Sequence, residues 1–299
     1  MKLVLLGADG QLGWDLRRAL APLGQLLALS RTMEGGDLSC MTDMARTIRQ
    51  FYPDVIVNAA AYTAVDLAES QPEVAHAING RAPGELAEIA CGLGAWLVHY
   101  STDYVFDGSG NTPWRETDAP RPLNVYGESK LEGEQAIRES GCRHLIFRTS
   151  WVFGRRGNNF IRTILRLADE RDFMRIVDDQ IGAPTGAALL ADASAHAIRT
   201  AAHRPGVNGL YNLAASGETS WYDYARFIID IAEKQGIRLK LSARGISPVT
   251  TAEYPTPAIR PLNSRLDTHR FTETFDLRLP PWESGVASTV TELLDGRSC

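Results

Sequence analysis

Lys2-Leu3-Val4-Leu5-Leu6-Gly7-Ala8-Asp9-Gly10-Gln11-Leu12-Gly13 is a short apolar run that breaks into glycines at G-x-x-G-x-x-G spacing. Beyond it, Leu12, Leu16, Ala19, Leu20 and Leu23 recur at helical intervals, so the N-terminus reads as strand, glycine turn and helix. Glycines at that turn allow a tight bend and a close approach to a pyrophosphate, which rests on the free N–H groups and positive dipole end of the helix. Gly7, Gly10 and Gly13 are therefore read as binding a dinucleotide cofactor.

The pattern repeats outward from there. Apolar strands at 26–29, 55–57, 96–100 and 145–147 alternate with helices at 41–51, 83–93 and around 131–137. Continuous apolar strands between amphipathic helices imply a parallel sheet covered on both faces, an α/β, Rossmann-type doubly wound fold. After about residue 150 the alternation becomes irregular, with helices near 159–168, 189–202 and 220–234. Residues 1–150 are expected to form the dinucleotide-binding domain, with later returns to its sheet allowed. Residues 151–299 are expected to form mainly a smaller C-terminal substrate-binding lobe. Pro248, Pro255, Pro257 and Pro261 exclude regular helix from 247–261 and suggest an ordered covering loop.

Composition narrows the function classes. The 299 residues are 44% hydrophobic and 22% charged, which excludes disordered, collagen-like and coiled-coil chains. A net charge of -5 offers no basic surface to nucleic acid. No apolar stretch is long enough for a signal peptide or membrane helix, so no membrane partner and a cytoplasmic location are expected. Cys40, Cys91, Cys142 and Cys299 are widely separated and are expected to be free and mostly buried. The six histidines are scattered, which argues against a zinc site, and His99 within its apolar run reads as a satisfied core residue.

Three further segments carry chemistry. The second strand ends in Leu29-Ser30-Arg31-Thr32, with no carboxylate where such folds usually hold the adenosine ribose of NAD. Ser30 and Arg31 are suited to a 2'-phosphate, so NADPH is expected to be preferred, with NADH also accepted. Asp37 and Leu38 fall where the next loop would pass the adenine. Tyr126 and Lys130 stand four apart in a helical segment and so share a face. A free phenol titrates at about 10, and a nearby ammonium favours its ionised form, so Lys130 is expected to tune Tyr126 as an acid. Ser101 and Thr102 follow the strand at 96–100, at the end where ligands of such sheets bind, and either hydroxyl could bond a substrate carbonyl and the phenol. The glycine turn, the strand-end hydroxyls and the tyrosine–lysine pair, in that order along the chain, make an oxidoreductase signature.

On these residues the chain resembles the extended short-chain dehydrogenase/reductases, and within them the dTDP-4-dehydrorhamnose reductase family. The likeness runs nearly end to end, through GADGQLGWDLRRALAPLG from Gly7, DVIVNAAAYTAVDLAES from Asp54, HYSTDYVFDG from His99 and PLNVYGESKLEGE from Pro122. It continues through HLIFRTSWVFG from His144, GNNF from Gly157, DDQIGAPTG from Asp178 and YPTPAIRPLNSRLD from Tyr254. The resemblance implies reduction of a dTDP-linked 4-keto sugar, dTDP-4-dehydro-6-deoxy-L-mannose, to dTDP-L-rhamnose for cell-surface polysaccharide. Tyr126 would give the proton, Lys130 would hold the nicotinamide ribose and Thr102 would tune the transfer. Ala59, Ala60, Ala61, Tyr62, Thr63 and Tyr100 would line the cofactor, and Gly10, Gln11 and Leu12 would face its pyrophosphate. Asp103 and Trp151 would touch the sugar, and Asn158, Asn159, Gln180 and Arg260 would grip the nucleotide diphosphate. The family can form homodimers through a Mg²⁺ site of acids on the first helix, after GAPTG and near the C-terminus. Here Asp15 and Glu292 keep the outer positions but Ala188 replaces the middle acid, so no bridging metal is expected. The same residues would also serve an epimerase or reductase acting on another 4-keto nucleotide sugar. The regulatory subunit of methionine adenosyltransferase is similar as well, but without a need for Thr102, Tyr126 and Lys130 together.

Overall fold

Six strands form one parallel sheet: β1 (Lys2–Leu6), β2 (Gln25–Leu29), β3 (Val55–Asn58), β4 (Trp96–Thr102), β5 (Arg143–Thr149) and β6 (Gly209–Asn212), in the spatial order 6-5-4-3-1-2. The structure, a computed structural model, describes residues 1–295, so Cys299 lies outside the described residues. The principal helices are α1 (Gln11–Leu20), α2 (Met41–Phe51), α3 (Ala82–Leu93), α4 (Val125–Glu139), α5 (Phe160–Glu170), α6 (Ala187–His203), α7 (Trp221–Lys234) and α8 (Trp282–Asp295).

Successive strand residues face opposite sides, and here both sides are covered, which is why the strands read as unbroken apolar runs. Leu3, Leu5, Val57, Val98 and Phe147 pack with Leu16 and Leu20 of α1, Leu190 and Ala197 of α6, and Phe271. Val4, Leu6, Ile56, Leu97 and Ile146 pack on the other face with Met44 and Ile48 of α2, Leu86 and Ala90 of α3, and Ile137 of α4. A second core joins Ile161 and Leu165 of α5, Tyr224 and Ile228 of α7, and Val286 and Val290 of α8.

A cut at residue 150 runs through the sheet, because β6 pairs with β5 and α6 packs on α1. The proline-rich stretch holds no α-helix, but Ser247 and Pro248 join the strand Ile246–Val249, parallel to Met174–Val177. A two-stranded ribbon leaves one side of each strand unpaired, so a residue without an N–H is tolerated there.

One buried ion pair ties α4 to the sheet. Arg148 on β5 donates from Nε and Nη2 to Glu134 at 2.8 and 2.6 Å, and both side chains are 1% exposed. Removing one partner of such a pair strands the other charge in the interior, whereas removing both does not. Arg148→Met should therefore cost about 3–5 kcal/mol in chemical denaturation, and the double change Arg148→Met with Glu134→Leu should recover most of it. A loss below about 1 kcal/mol for the single variant would show that the pair does not anchor the helix.

Candidate active site

The strand order reverses between β1 and β3, where the chain leaves neighbouring strands in opposite directions and a crevice opens at their carboxyl ends. Gly7 leaves β1 with φ +76°, and a Cβ there would come within 2.7 Å of the Ala60 nitrogen beyond β3. A Cβ on Gly13 would strike the Gly7 carbonyl, so both glycines let α1 sit directly on this turn. The α1 N-terminus opens into a crevice of about 740 Å³, a size suited to a cofactor and a small substrate. Gly7, Gly10, Gln11, Leu12, Arg31, Ala59, Ala60, Ala61 and Thr63 line one end of it. Tyr100, Thr102, Asp103, Tyr126, Lys130 and Trp151 line the other, and Asn158 lies beside Gln11, whose Nε2 donates to its carbonyl at 3.4 Å.

The acid–base end is built by β4 and α4. Asn124 caps α4, its Oδ1 accepting the Gly127 N–H at 2.8 Å while its Nδ2 donates to the Ile259 carbonyl at 2.7 Å. A Cβ on Gly127 would strike the Tyr104 carbonyl, so this glycine brings the first turn of α4 against the loop after β4. Tyr126 thereby meets Tyr104 edge to face at 5.7 Å and shares a hydrogen bond with Thr102. Thr102 Oγ1 also donates to Asp103 Oδ1 at 3.1 Å and accepts the Tyr104 N–H at 3.2 Å.

The expected pull of Lys130 on the phenol is not what acts in this arrangement. Lys130 Nζ donates to the Tyr100 carbonyl at 2.6 Å and lies 3.1 Å from His99 Nε2. Lost hydration pushes the Tyr126 phenol up to about 12, against which Thr102 pulls it down. Burial pushes Lys130 down to about 8, with Glu134 opposing, and holds His99 well below its ordinary value, with Lys130 adding to the effect. Asp103 is raised to about 6 by burial, less than it would be without the nearby Ser264 and Thr102 hydroxyls. Ser101 Oγ, Asp103 Oδ2 and Thr149 Oγ1 are buried at the crevice wall without hydrogen-bond partners in the protein. Orphaned polar atoms of this kind fit a wall completed by a polar ligand.

The remaining expected residues lie behind the wall or at its rim. Ser30 is buried with its hydroxyl 3.3 Å from Thr32, and Leu38 belongs to the core beneath the sheet. Asp37 pairs with Arg31 at 3.5 Å and accepts the Ser39 N–H, the bond that most lowers its carboxyl below the ordinary range. Tyr62 is engaged by Asn79 and Gln71. Asn159 caps α5, accepting the Arg162 N–H at 3.2 Å, and donates to Gln11 Oε1 at 2.9 Å. Gln180 is buried between Thr251 and Trp221, and Arg260 makes a two-pronged contact with Asp66 at 3.1 and 2.9 Å. In this conformation these three side chains spend their polar groups on the protein, not on the crevice.

The sequence alone assigns no role to Asp9, inside the glycine turn, or to Val65, Tyr104, Thr149, Val152 and Trp221, which also line the crevice. Trp221 stacks on Trp151 at 3.8 Å and holds it with a left-handed backbone, φ +49°. Tyr104 adjoins the strand-end hydroxyls, and that adjacency was the one available signal for it.

Cys40 and Cys91 are exposed, correcting the expectation of mostly buried thiols, and only Cys142 of the described cysteines is buried. Short helix ends and caps place the first two at the surface. Asp15, Ala188 and Glu292 share a separate cleft beside α1, α6 and α8. Arg155 occupies Glu292 at 2.7 Å, and burial raises the Asp15 carboxyl. Asp192, near enough to act on Asp15, is held by Arg18 at 2.8 Å, so two of the three carboxylates here are already paired with arginines, which does not fit the oxygen-rich shell that Mg²⁺ requires. Among the described residues no group of three His, Cys, Asp or Glu side chains is placed to hold a metal.

Residues 1–294 match the family described as RmlD substrate binding domain. The dTDP-4-dehydrorhamnose reductase of Escherichia coli (strain K12) is 55% identical, the match covering 98% of each chain. A crystal structure of dTDP-4-dehydrorhamnose reductase from Bacillus anthracis in complex with NADP superposes with a TM-score of 0.87 at 32% identity, covering 97% of this chain and 99% of that one. A UDP-glucose 4-epimerase from Thermus thermophilus, complexed with NAD, superposes at 0.81 with 18% identity over 98% and 99%, a likeness of fold alone.

The Asp103 carboxyl takes up its proton near pH 6 when folded, above the ordinary 3.8. The folded state thus binds that proton more tightly, and stability is lost as pH rises through the interval between the two values. Asp103→Asn should remove this loss, gaining about 1–3 kcal/mol more at about pH 8 than at about pH 3.5 in denaturant titrations. Equal effects at the two pH values would refute a buried, destabilised carboxylate.

Proposed function

The chain belongs to the RmlD substrate binding domain family, and from that premise we propose that it is an NADPH-dependent oxidoreductase that reduces the 4-keto group of dTDP-4-dehydro-6-deoxy-L-mannose to give dTDP-L-rhamnose. The observation that carries this reading is a single crevice joining the α1 N-terminus to the Thr102, Tyr126 and Lys130 side chains. One end suits a pyrophosphate and the other suits a carbonyl.

When bound, the dihydronicotinamide supplies the hydride. The chain's own residues do the rest. The Gly7 to Gly13 turn presents backbone N–H groups and the helix dipole to the pyrophosphate. Arg31, exposed at the rim, gives charge-assisted bonds to a 2'-phosphate, with NADH then the weaker alternative. Lys130 holds the nicotinamide ribose, and Tyr126 delivers its proton to the carbonyl oxygen as negative charge develops there. A phenol titrating near 12 remains protonated throughout the neutral range, and is therefore ready as an acid before substrate arrives. Thr102 orients it. Asp103 Oδ2, buried at the crevice wall without a protein partner, is the acceptor for a sugar hydroxyl, and the Trp151 ring, braced by Trp221, offers an apolar face to the sugar. Asn158 already lines the crevice, whereas Asn159, Gln180 and Arg260 would reach the diphosphate only after exchanging present partners, Arg260 by leaving Asp66. The cleft at Asp15, Ala188 and Glu292 has no part in the step, and the reaction needs no metal. The free thiols suit a reducing compartment such as the cytoplasm.

Incubation with NADPH and the dTDP-linked 4-keto sugar should consume the cofactor and yield dTDP-rhamnose, while the UDP-linked analogue tests the nucleobase. Tyr126→Phe should bind NADPH as the parent does and lose roughly 10² to 10⁴ in turnover. Undiminished turnover would remove Tyr126 from the reaction. Arg31→Ala should weaken NADPH by about 10-fold or more while leaving NADH affinity nearly unchanged, the scale of one charge-assisted hydrogen bond. Equal weakening of both dinucleotides would count against the 2'-phosphate contact.

A further inference from the structure

His99 lies behind the reactive pair, 1% exposed on β4, and both ring nitrogens are engaged by buried polar groups. Asn58 Nδ2 is 3.2 Å from Nδ1, and Lys130 Nζ is 3.1 Å from Nε2. Asn58 is oriented by its other end, since its Oδ1 accepts the Ala60 N–H at 3.2 Å. Ala60 in turn lines the crevice. These contacts form an unbroken chain from the cofactor wall to the lysine.

A neutral imidazole has one N–H and one lone pair. With the Asn58 amide donating to Nδ1, the imidazole proton must reside on Nε2, which then donates to Lys130. An ammonium has no lone pair to accept that proton, but an amine has one. The arrangement seen here is therefore the setting for neutral Lys130, which still donates to the Tyr100 carbonyl. Charged Lys130 requires the opposite setting. Its ammonium donates to Nε2, the imidazole proton moves to Nδ1, and the Asn58 amide turns over so that Oδ1 accepts it. Turning Asn58 sets its Nδ2 against the Ala60 N–H, so that this backbone donor on the cofactor wall loses its acceptor. One proton enters from solvent, at Nζ, and the imidazole stays neutral throughout.

We propose that His99 and Asn58 are positioning residues that set the charge of Lys130 and couple it to dinucleotide binding at the Ala60 wall. The inference rests on the reading of Lys130 as part of the cofactor site. The other groups facing Lys130 do not form this coupling. Glu134 on the same helix is held by Arg148 of β5, Tyr126 and Asp103 are joined through Thr102, and the Tyr100 phenol points to Ser194 at 2.7 Å. A dinucleotide's phosphates favour the ammonium, so NADPH drives the switch to the charged setting with uptake of a proton.

Ring-nitrogen NMR of histidine-labelled protein tests this without a sugar substrate, with the His99 signal assigned from its loss in His99→Gln. In the empty protein, titration from about pH 6.5 to about pH 9.5 should move the His99 proton from Nδ1 to Nε2. The change should vanish in Lys130→Met and survive in Tyr126→Phe. Near the midpoint, NADPH should return His99 to the Nδ1–H form, with about one proton taken up in calorimetry across buffers of different ionisation heat. If His99→Gln folds, the pH midpoint of NADPH affinity should move by at least half a unit. One tautomer at every pH, or a change that persists in Lys130→Met, overturns the proposal. Failure of the proposed reaction would appear instead as absent keto-sugar turnover with the tautomer change intact.

Discussion

The site depends on one close approach, the contact between the turn after β1 and the turn after β3. Any side chain at position 7 would drive its first carbon into the Ala60 backbone, and one at position 13 would strike the Gly7 carbonyl. Without side chains at these places, the end of α1 reaches the line where the sheet reverses direction, and its unpaired N–H groups open into the crevice. The same contact brings Ala60 near the polar groups behind it, so cofactor wall and acid–base cluster are parts of one construction.

Burial then acts in one direction on every titrating group in the cluster. It raises Tyr126 and Asp103 and lowers Lys130 and His99, in each case favouring the uncharged form. An interior that resists charge on its own side chains makes the charges of a ligand decisive. It also explains why the cluster is wired by hydrogen bonds through Thr102, His99 and Asn58, since groups kept neutral must still satisfy their donors and acceptors. The Arg148–Glu134 pair is buried as two charges in direct contact at 2.6 Å, and it serves to hold α4 in place.

The second lobe closes the other wall by aromatic packing and by ties across the crevice. Trp221 braces Trp151, Gln11 meets Asn158 and Asn159, and Asn124 and Asp66 hold the segment at Ala258 to Arg260 against the first lobe. Substrate contacts proposed for Asn159, Gln180 and Arg260 would thus compete with bonds already formed.

Much of this was legible in the chain itself wherever the signal was local. A strand, a glycine turn and a helix are neighbours in sequence, and Tyr126 and Lys130 share a face because helices repeat about every four residues. The doubly wound sheet followed from apolar runs alternating with amphipathic helices, and reductase chemistry followed from the order of those motifs. Tertiary structure alone decided the rest. That β6 and α6 return across residue 150, that Trp221 reaches Trp151, that Arg260 finds Asp66 and that Asn58, His99 and Lys130 form one chain are contacts between residues far apart in sequence. Their hydrogen-bond geometry and burial exist only once the strands are ordered side by side, and no residue spacing encodes them. His99 shows the difference most plainly: the sequence identified it as buried, but its role depends on which partners the folded sheet sets against its two nitrogens.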